Sequence, residues 1–455
     1  MTQAKKPRLS TTQLIILGFL AAVLVGSVLL TLPIASASGQ MTPYLDALFT
    51  SATSVCVTGL TVVDTFSHWS LFGKIVILLL IQLGGLGVIS FTTGIMVLIG
   101  RKITLKDRLL LESAFNLDNL SGLLRFLGKV FAGTMVVEGV GALLSMLVFC
   151  PEYGLRGIWI SVFHSISAFC NAGIDIIGPN SLVPYVSNVG LNLVTMALII
   201  LGGIGFIVWW DVLRVAGLVR QGEIRRRLFW QRLTLHTKIT LTTTAILIVG
   251  GALVIALLEW NNPETLGALD PGTRVLASFF QSVTTRTAGY ATVTQSGLRA
   301  GTVLVSVILM FIGGSSVGTA GGVKTSTIAV IFLSAASVVR GRESVTAFRR
   351  TLPEKLVRRA SAIVAISLAT LLGGTMLLSA FEGCSLSDAL FEMASALGTV
   401  GLTSGLSADL TDPGKLLLTC GMYFGRVGPM SLAIAFAYRK GDRATAYPEQ
   451  NITLG

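Results

Sequence analysis

The chain has 455 residues, of which 52% are hydrophobic and only 12% charged, against roughly 25% charged in an ordinary soluble domain. That composition excludes a soluble globular protein, and apolar runs of about 20 residues read as membrane spans. The net charge is +12, but 26 of the 34 Lys and Arg sit in five places: the N-terminus, residues 101–129, 214–238 and 340–359, and the tail from Arg439. All five fall on one side once the spans are drawn, so the charge reads as the positive-inside pattern with both termini cytoplasmic, not as a nucleic-acid surface.

In chain order, the first span is Leu14–Pro33, following Lys5, Lys6 and Arg8, and reads as a membrane helix and not a cleaved signal. Tyr44–Val55 is apolar but too short to cross, a half-helix ending in Cys56-Val57-Thr58-Gly59; Leu71–Gly100 then spans. The unit repeats. Leu127–Cys150 is followed by half-helix Gly157–Phe169, Cys170-Asn171-Ala172-Gly173 and span Val186–Leu213. Ile239–Trp260 is followed by Gly272–Thr284, Arg286-Thr287-Ala288-Gly289 and Thr302–Val339. Ala360–Phe381 is followed by Leu386–Leu397, Gly398-Thr399-Val400-Gly401 and Lys415–Ala437. The repeats are assigned to 1–110, 111–238, 239–359 and 360–455. The expected fold class is an all-α polytopic membrane protein whose four membrane–pore–membrane repeats surround one pore with pseudo-fourfold symmetry.

The closing glycines fall 114, 116 and 112 residues apart. Any one of 50 glycines can be a close-packing residue; four at this interval, each after a half-helix, read as strands of a cation filter. Irregular backbone at membrane depth is tolerated where it lines a watery cavity. There, carbonyls replace an ion's hydration shell, and glycine adopts the necessary dihedrals without steric cost. The half-helices aim their negative ends at the cavity, which favours cations. No acidic ring accompanies the segments, so a carbonyl site fits better than a carboxylate one.

The third repeat's second span is interrupted by Gly313-Gly314-Ser315-Ser316-Val317-Gly318-Thr319-Ala320-Gly321-Gly322-Val323-Lys324. This stretch is expected to loop into the cavity under the filter as a gate; the alternative is a glycine hinge in a kinked helix. Gly84-Gly85-Leu86-Gly87, Gly202-Gly203-Ile204-Gly205 and Gly425-Arg426-Val427-Gly428 align with its start, and Arg426 takes a small residue's place. A charge at mid-span costs at least ~2.5–3.5 kcal/mol unless it faces a cavity or partner. Arg426 is therefore expected to face the axis, as a barrier to cations or a donor to loop carbonyls, unless it snorkels or pairs with an acid. Lys324 either holds the loop or reaches water. Arg286 and Glu392 are expected to pair behind the filter, Glu138 to accept from polar neighbours, and His164 to be a satisfied buried histidine. Cys56, Cys150, Cys170, Cys384 and Cys420 lack metal-ligand spacing and predict no disulfide framework. His68, His164 and His236 lie too far apart for an intramembrane enzyme.

With these motifs in hand, together with Val62-Val63-Asp64-Thr65, Phe163 to Phe169 and the tail from Tyr447, the chain resembles the Ktr/Trk/HKT superfamily of potassium transporters nearly end to end, most closely the membrane subunits of bacterial Ktr systems. The resemblance implies K+ uptake across the bacterial cytoplasmic membrane, with K+ held at the four filter segments and no bound cofactor. It implies a homodimer whose intramembrane loop is controlled by a cytoplasmic RCK ring of the KtrA or KtrC kind that binds ATP or ADP. Sodium coupling and sodium activation are both compatible with these residues. A TrkH-like transporter and a sodium-permeable HKT-type transporter are the alternatives; Gly59 matches the potassium-selective pattern. Cys170, where Asn is frequent, and Val317-Gly318, where small polar residues are usual, depart from it.

Overall fold

The computed structural model describes residues 11–87, 123–429 and 431. The expected second half of the Leu71–Gly100 span, the end of the Lys415–Ala437 span, the N-terminal and C-terminal basic runs and most of the 101–129 run lie outside the described residues.

Among the described residues, four helices are long and apolar enough to cross a bilayer, and each opens one repeat. They lie within α1 (Thr11–Thr31), α4 (Leu123–Tyr153), α8 (Leu235–Glu259) and α12 (Glu354–Glu382). The half-helices are α2 (Tyr44–Cys56), α5 (Arg156–Phe169), α9 (Pro271–Thr284) and α13 (Leu386–Gly398). At 13 or 14 residues each, they reach only about 20 Å at ~1.5 Å per residue. Their starts are written locally. Asp270 caps α9 by accepting from Thr273 N at 3.0 Å, with Pro271 in the first turn; Ser385 caps α13 by accepting from Asp388 N at 3.1 Å.

The second spans begin with α3 (Leu71–Leu86), α6 (Val189–Ile204), α10 (Ala300–Phe311) and α14 (Asp412–Val427). After Gly205 the chain turns by 98° into α7 (Phe206–Arg220). The Val186–Leu213 span expected from hydropathy is therefore broken into two helices at Gly205. Gly205, at φ 95°, takes a backbone conformation that ends the helix, and hydropathy does not register that. Gly87 (φ 83°) and Gly428 (φ 88°) end α3 and α14 the same way. In the third repeat the loop separates α10 from α11 (Thr325–Val339). The only strands among the described residues are β1 (Thr346–Ala347) and β2 (Arg350–Thr351), a small hairpin between α11 and α12.

Each second span packs on the half-helix of the next repeat: α3 on α5, α6 on α9, α10 on α13, and α14 back on α2. The four repeats thus close into a ring, with the half-helices and glycine segments buried at its centre. The lipid-facing sides keep large exposed apolar residues such as Val136, Leu143, Leu257 and Met376.

Candidate functional site

The glycine segments meet in cyclic order. A Cβ at Gly59 would sit 2.5 Å from the carbonyl oxygen of Ala172. One at Gly173 would meet Ala288 O, one at Gly289 would meet Val400 O, and one at Gly401 would meet Thr58 O, each closer still. Each glycine has a positive φ, 103°, 64°, 82° and 97° in chain order. Two residues earlier, Val57, Asn171, Thr287 and Thr399 are also left-handed, with φ of 56°, 59°, 68° and 53°. Three of these four are β-branched, for which this conformation is a genuine outlier costing on the order of 1–3 kcal/mol. Only a surrounding structure that over-determines the backbone maintains such strain. A left-handed residue thus recurs at the same two places in all four segments.

Hydroxyls at the half-helix ends clamp each segment. Thr53 Oγ1 accepts from Gly59 N at 2.9 Å, and Ser395 Oγ accepts from Gly401 N at 3.0 Å. Ser167 donates to Ile174 O and Thr284 to Tyr290 O, both at 2.6 Å. In the third segment Ala288 N returns to Thr284 O, a turn one residue shorter than Thr58 N to Thr53 O.

A layer of glycines behind the half-helices is absent from the sequence-based expectations. Gly26, Gly141 and Gly251 in the first spans face Ser51, Ser165 and Ser282, and Gly374 faces Met393. The three serines donate to first-span carbonyls: Ser51 to Val23 O at 2.7 Å, Ser165 to Glu138 O at 2.6 Å and Ser282 to Ile248 O at 2.8 Å. Missing side chains let the helices approach closely, as small residues do between membrane helices. Their spacing carries the signal, but it is swamped among the other glycines.

Below the ring, residues 312–324 leave the helix. Ile312 and Val323 bridge in parallel, and Val317 is left-handed at φ 60°. The loop lies along the broken end of α6: Ser315 N donates to Gly203 O at 2.8 Å, Thr319 N to Gly202 O at 3.2 Å, and Phe206 N to Val317 O at 2.9 Å. Thr319 Oγ1 also reaches Phe169 O at 3.1 Å. Arg426 donates to Thr319 O and Gly84 O, and to Gly85 O at 3.2 Å. Lys324 Nζ donates to Ala320 O at 2.7 Å. Both cations therefore bond to loop carbonyls, and Arg426 also ties the loop to the first repeat. Gly313 lies against Gly321 O, Gly321 against Thr399 Oγ1, and Gly314 against Ala320, so there is no room for side chains there. Ser316 Oγ and Ser326 Oγ stand 3.4 Å apart, and Gly318 and Gly322 contact Gly205 and Gly313.

Arg286 and Glu392 do not pair. Glu392 accepts from Thr403 Oγ1, from Ser404 N at 3.1 Å and from Ser407 Oγ at 2.8 Å, which fixes the chain leaving the fourth segment. Arg286 points the other way, into a cavity of about 10 Å³ lined by Ile199, Ile200, Gly203, Ile248, Val283 and Gly314. Its Nε has no hydrogen-bond partner. The pairing failed because position in a segment sets the direction of a side chain, which charge sign does not reveal. His164 bonds Thr195 Oγ1 at 2.9 Å. The described residues contain no disulfide and no cluster able to hold a metal ion.

On the opposite side of the ring a cavity of about 410 Å³ opens onto Gly59, Gly173, Gly289 and Gly401, with Asp64 and Asp175 in its wall. Asp64 caps a short helix through Phe66 N and Ser67 N. Burial pushes the Asp175 carboxyl up to about 6, against the lowering effect of Ser181 and of the Ile177 and Gly178 backbone.

Residues 2–444 match the family model described as "TrkH: Cation transport protein". The chain is 39% identical to the "Potassium/sodium uptake protein NtpJ" of Enterococcus hirae, over 100% of this chain and 99% of that protein. It is 37% identical to the "Ktr system potassium uptake protein B" of Bacillus subtilis, over 98% of this chain and 97% of that protein. The crystal structure of the potassium transporter TrkH from Vibrio parahaemolyticus superposes with a TM-score of 0.70, covering 96% of this chain and 87% of that one. At 18% identity that likeness speaks for the fold.

Proposed function

We propose, from the premise that this chain belongs to the TrkH family of cation transport proteins, that it takes up K+ through the ring of four glycine segments. Its relatives are transporters, and it is not an enzyme. The observation that carries the reading is the closed cyclic contact of Gly59, Gly173, Gly289 and Gly401, with a left-handed residue two places before each. The filter residues are 56–59, 170–173, 286–289 and 398–401. K+ is substrate there, and no bound cofactor is needed.

The loop 313–324 is the gate, with Arg426 and Lys324 as its holding donors. The 410 Å³ mouth faces outside, and the loop faces the cytoplasm together with both termini and the basic runs. Uptake follows the electrochemical gradient across the cytoplasmic membrane, where 100 mV is worth about 2.3 kcal/mol per charge. The functional unit is a homodimer with a cytoplasmic RCK-type ring that carries ATP or ADP, a reading in keeping with the word "system" in the names of the Ktr relatives. The repeats divide near residues 110, 238 and 359. The "potassium/sodium" in the Enterococcus relative's name favours a second reading, in which Na+ accompanies or activates K+.

The test is ion uptake in a bacterium lacking its own K+ uptake, with the RCK partner supplied. Wild type should rescue growth at low K+, Gly59→Ser should weaken K+ preference, and deletion of 316–321 should leak. Failure of wild type to rescue would overturn the K+ reading.

A further inference from the structure

Three places before the filter glycines stand Cys56, Cys170, Arg286 and Gly398. Cys170 and Arg286 are each flanked by the first span of their own repeat and the second span of the preceding one. Around Arg286 the flanking residues are Ile248 and Ile200, both apolar. The equivalent residues at the first junction are Glu138 and Gln82, and here three polar side chains meet. Gln82 Nε2 donates to Glu138 Oε2 at 3.2 Å. The Cys170 thiol donates to Gln82 Oε1 at 3.5 Å and lies 3.9 Å from Glu138 Oε1. Cys170 is fully buried, Glu138 is 5% exposed and Gln82 8%. The three belong to α5's end, α4 and α3, so the chain of bonds ties two repeats behind one filter segment. The position of Glu138 in the other first spans is held by Val23, Ile248 and Leu371, each three residues before a packing glycine. The polar tie is therefore particular to the second segment.

We propose that Glu138 is a positioning residue that sets the ion preference of the filter, acting through Gln82 and Cys170 on the second segment. This deepens the K+ uptake reading and rests on it. The route is short: Cys170 precedes Asn171, which is left-handed and whose amide meets Thr287 Oγ1 of the third segment at 3.2 Å. A buried acid in a span is expensive unless partnered. Truncating it leaves the Gln82 amide without its acceptor and the thiol with Gln82 Oε1 alone, in a water-poor site. The segment then relaxes toward whatever satisfies them, and a ring tuned to one ion radius loses its match.

The experiment is K+ uptake with Na+ competition in proteoliposomes, at matched amounts of protein. Glu138→Ala should lower the K+ over Na+ preference by roughly tenfold, the scale of a buried polar group left unsatisfied. It should raise the KM for K+ more than it lowers the maximal rate. Glu138→Gln keeps the side chain's volume and one carbonyl oxygen that can accept from Gln82, so it should lower the preference less than the alanine variant. Val23→Ala removes packing at the equivalent position of the first repeat and should leave the preference unchanged. Cys170→Ala should shift it in the same direction by a smaller factor, and decides the matter if Glu138→Ala does not reach the membrane. An unchanged preference in Glu138→Ala overturns the proposal. So does an equal shift in Val23→Ala, or a loss in Glu138→Gln as large as in the alanine variant. A wild type that moves no K+ overturns the uptake reading and this one with it.

Discussion

The ring of glycine segments and the layer directly beneath it follow opposite designs. In the ring, four segments repeat a left-handed residue two places before a left-handed glycine, and each glycine packs against the next segment's carbonyl. Beneath it, the opening helices of three second spans end at Gly87, Gly205 and Gly428, while the third repeat inserts a loop and the fourth contributes Arg426. A site made of carbonyls around one ion needs its four walls alike. A single obstruction needs only one wall to differ, and the largest departure from fourfold likeness is the loop with its donors.

The largest effect is expected in the symmetric part. Gly401→Ala places a methyl group against Thr58 O at a φ of 97°. Rb+ uptake should fall by about 100-fold, since strain and clash together exceed ~3 kcal/mol. An active Gly401→Ala protein would show that the ring is not the conducting element. Next comes the asymmetric layer. Arg426→Ala removes the loop's bonds from Thr319 O to the first repeat, and uptake should rise by about tenfold. Arg426→Lys, a point donor without the planar fork, should fall between the two. Reduced uptake in Arg426→Ala would argue that the arginine serves the open path and not the closed loop.

A smaller change of opposite sign is expected at Val317. Its left-handed backbone costs ~1–2 kcal/mol that glycine does not incur. Val317→Gly therefore stabilises the loop as seen and should lower Rb+ uptake a few-fold, and a rise would count against a blocking loop. The smallest effect is at the mouth. Asp175 is ionised above about pH 6 and protonated below it, because burial favours the neutral acid. As the pH falls from about 7 to about 5 the mouth loses negative charge, and uptake at low K+ should drop about twofold. Asp175→Asn should flatten that profile, and a profile that persists in the asparagine variant places the titrating group elsewhere.

Much of the architecture was legible in local patterns. The four first spans and four half-helices follow from run length, and their caps from Asp270 and Ser385. Arg426 was conspicuous because one charge interrupts an apolar run. Other features left no local trace. The 98° turn after Ile204 depends on one dihedral at Gly205, where hydropathy continues unbroken. The serine-on-glycine layer joins Ser51 to Gly26 and Ser165 to Gly141 across dozens of residues. Arg286 and Glu392 have opposite charges and comparable depth, yet they point apart, one to an apolar cavity and one to the hydroxyls of Thr403 and Ser407.

By itself the amino-acid sequence determined that this chain enters a membrane, that it does so in four similar units, and that each unit carries a glycine where backbone must bend. Those properties depend on how many apolar residues stand in a row and on the conformations a missing Cβ permits. Tertiary structure alone decided the cyclic order of the ring, the carbonyls that Arg426 grips, and the partners of Glu138, Arg286 and Glu392. Those choices depend on which backbones approach closely enough to share a hydrogen bond, and in a packed interior that distance is set by residues far apart along the chain.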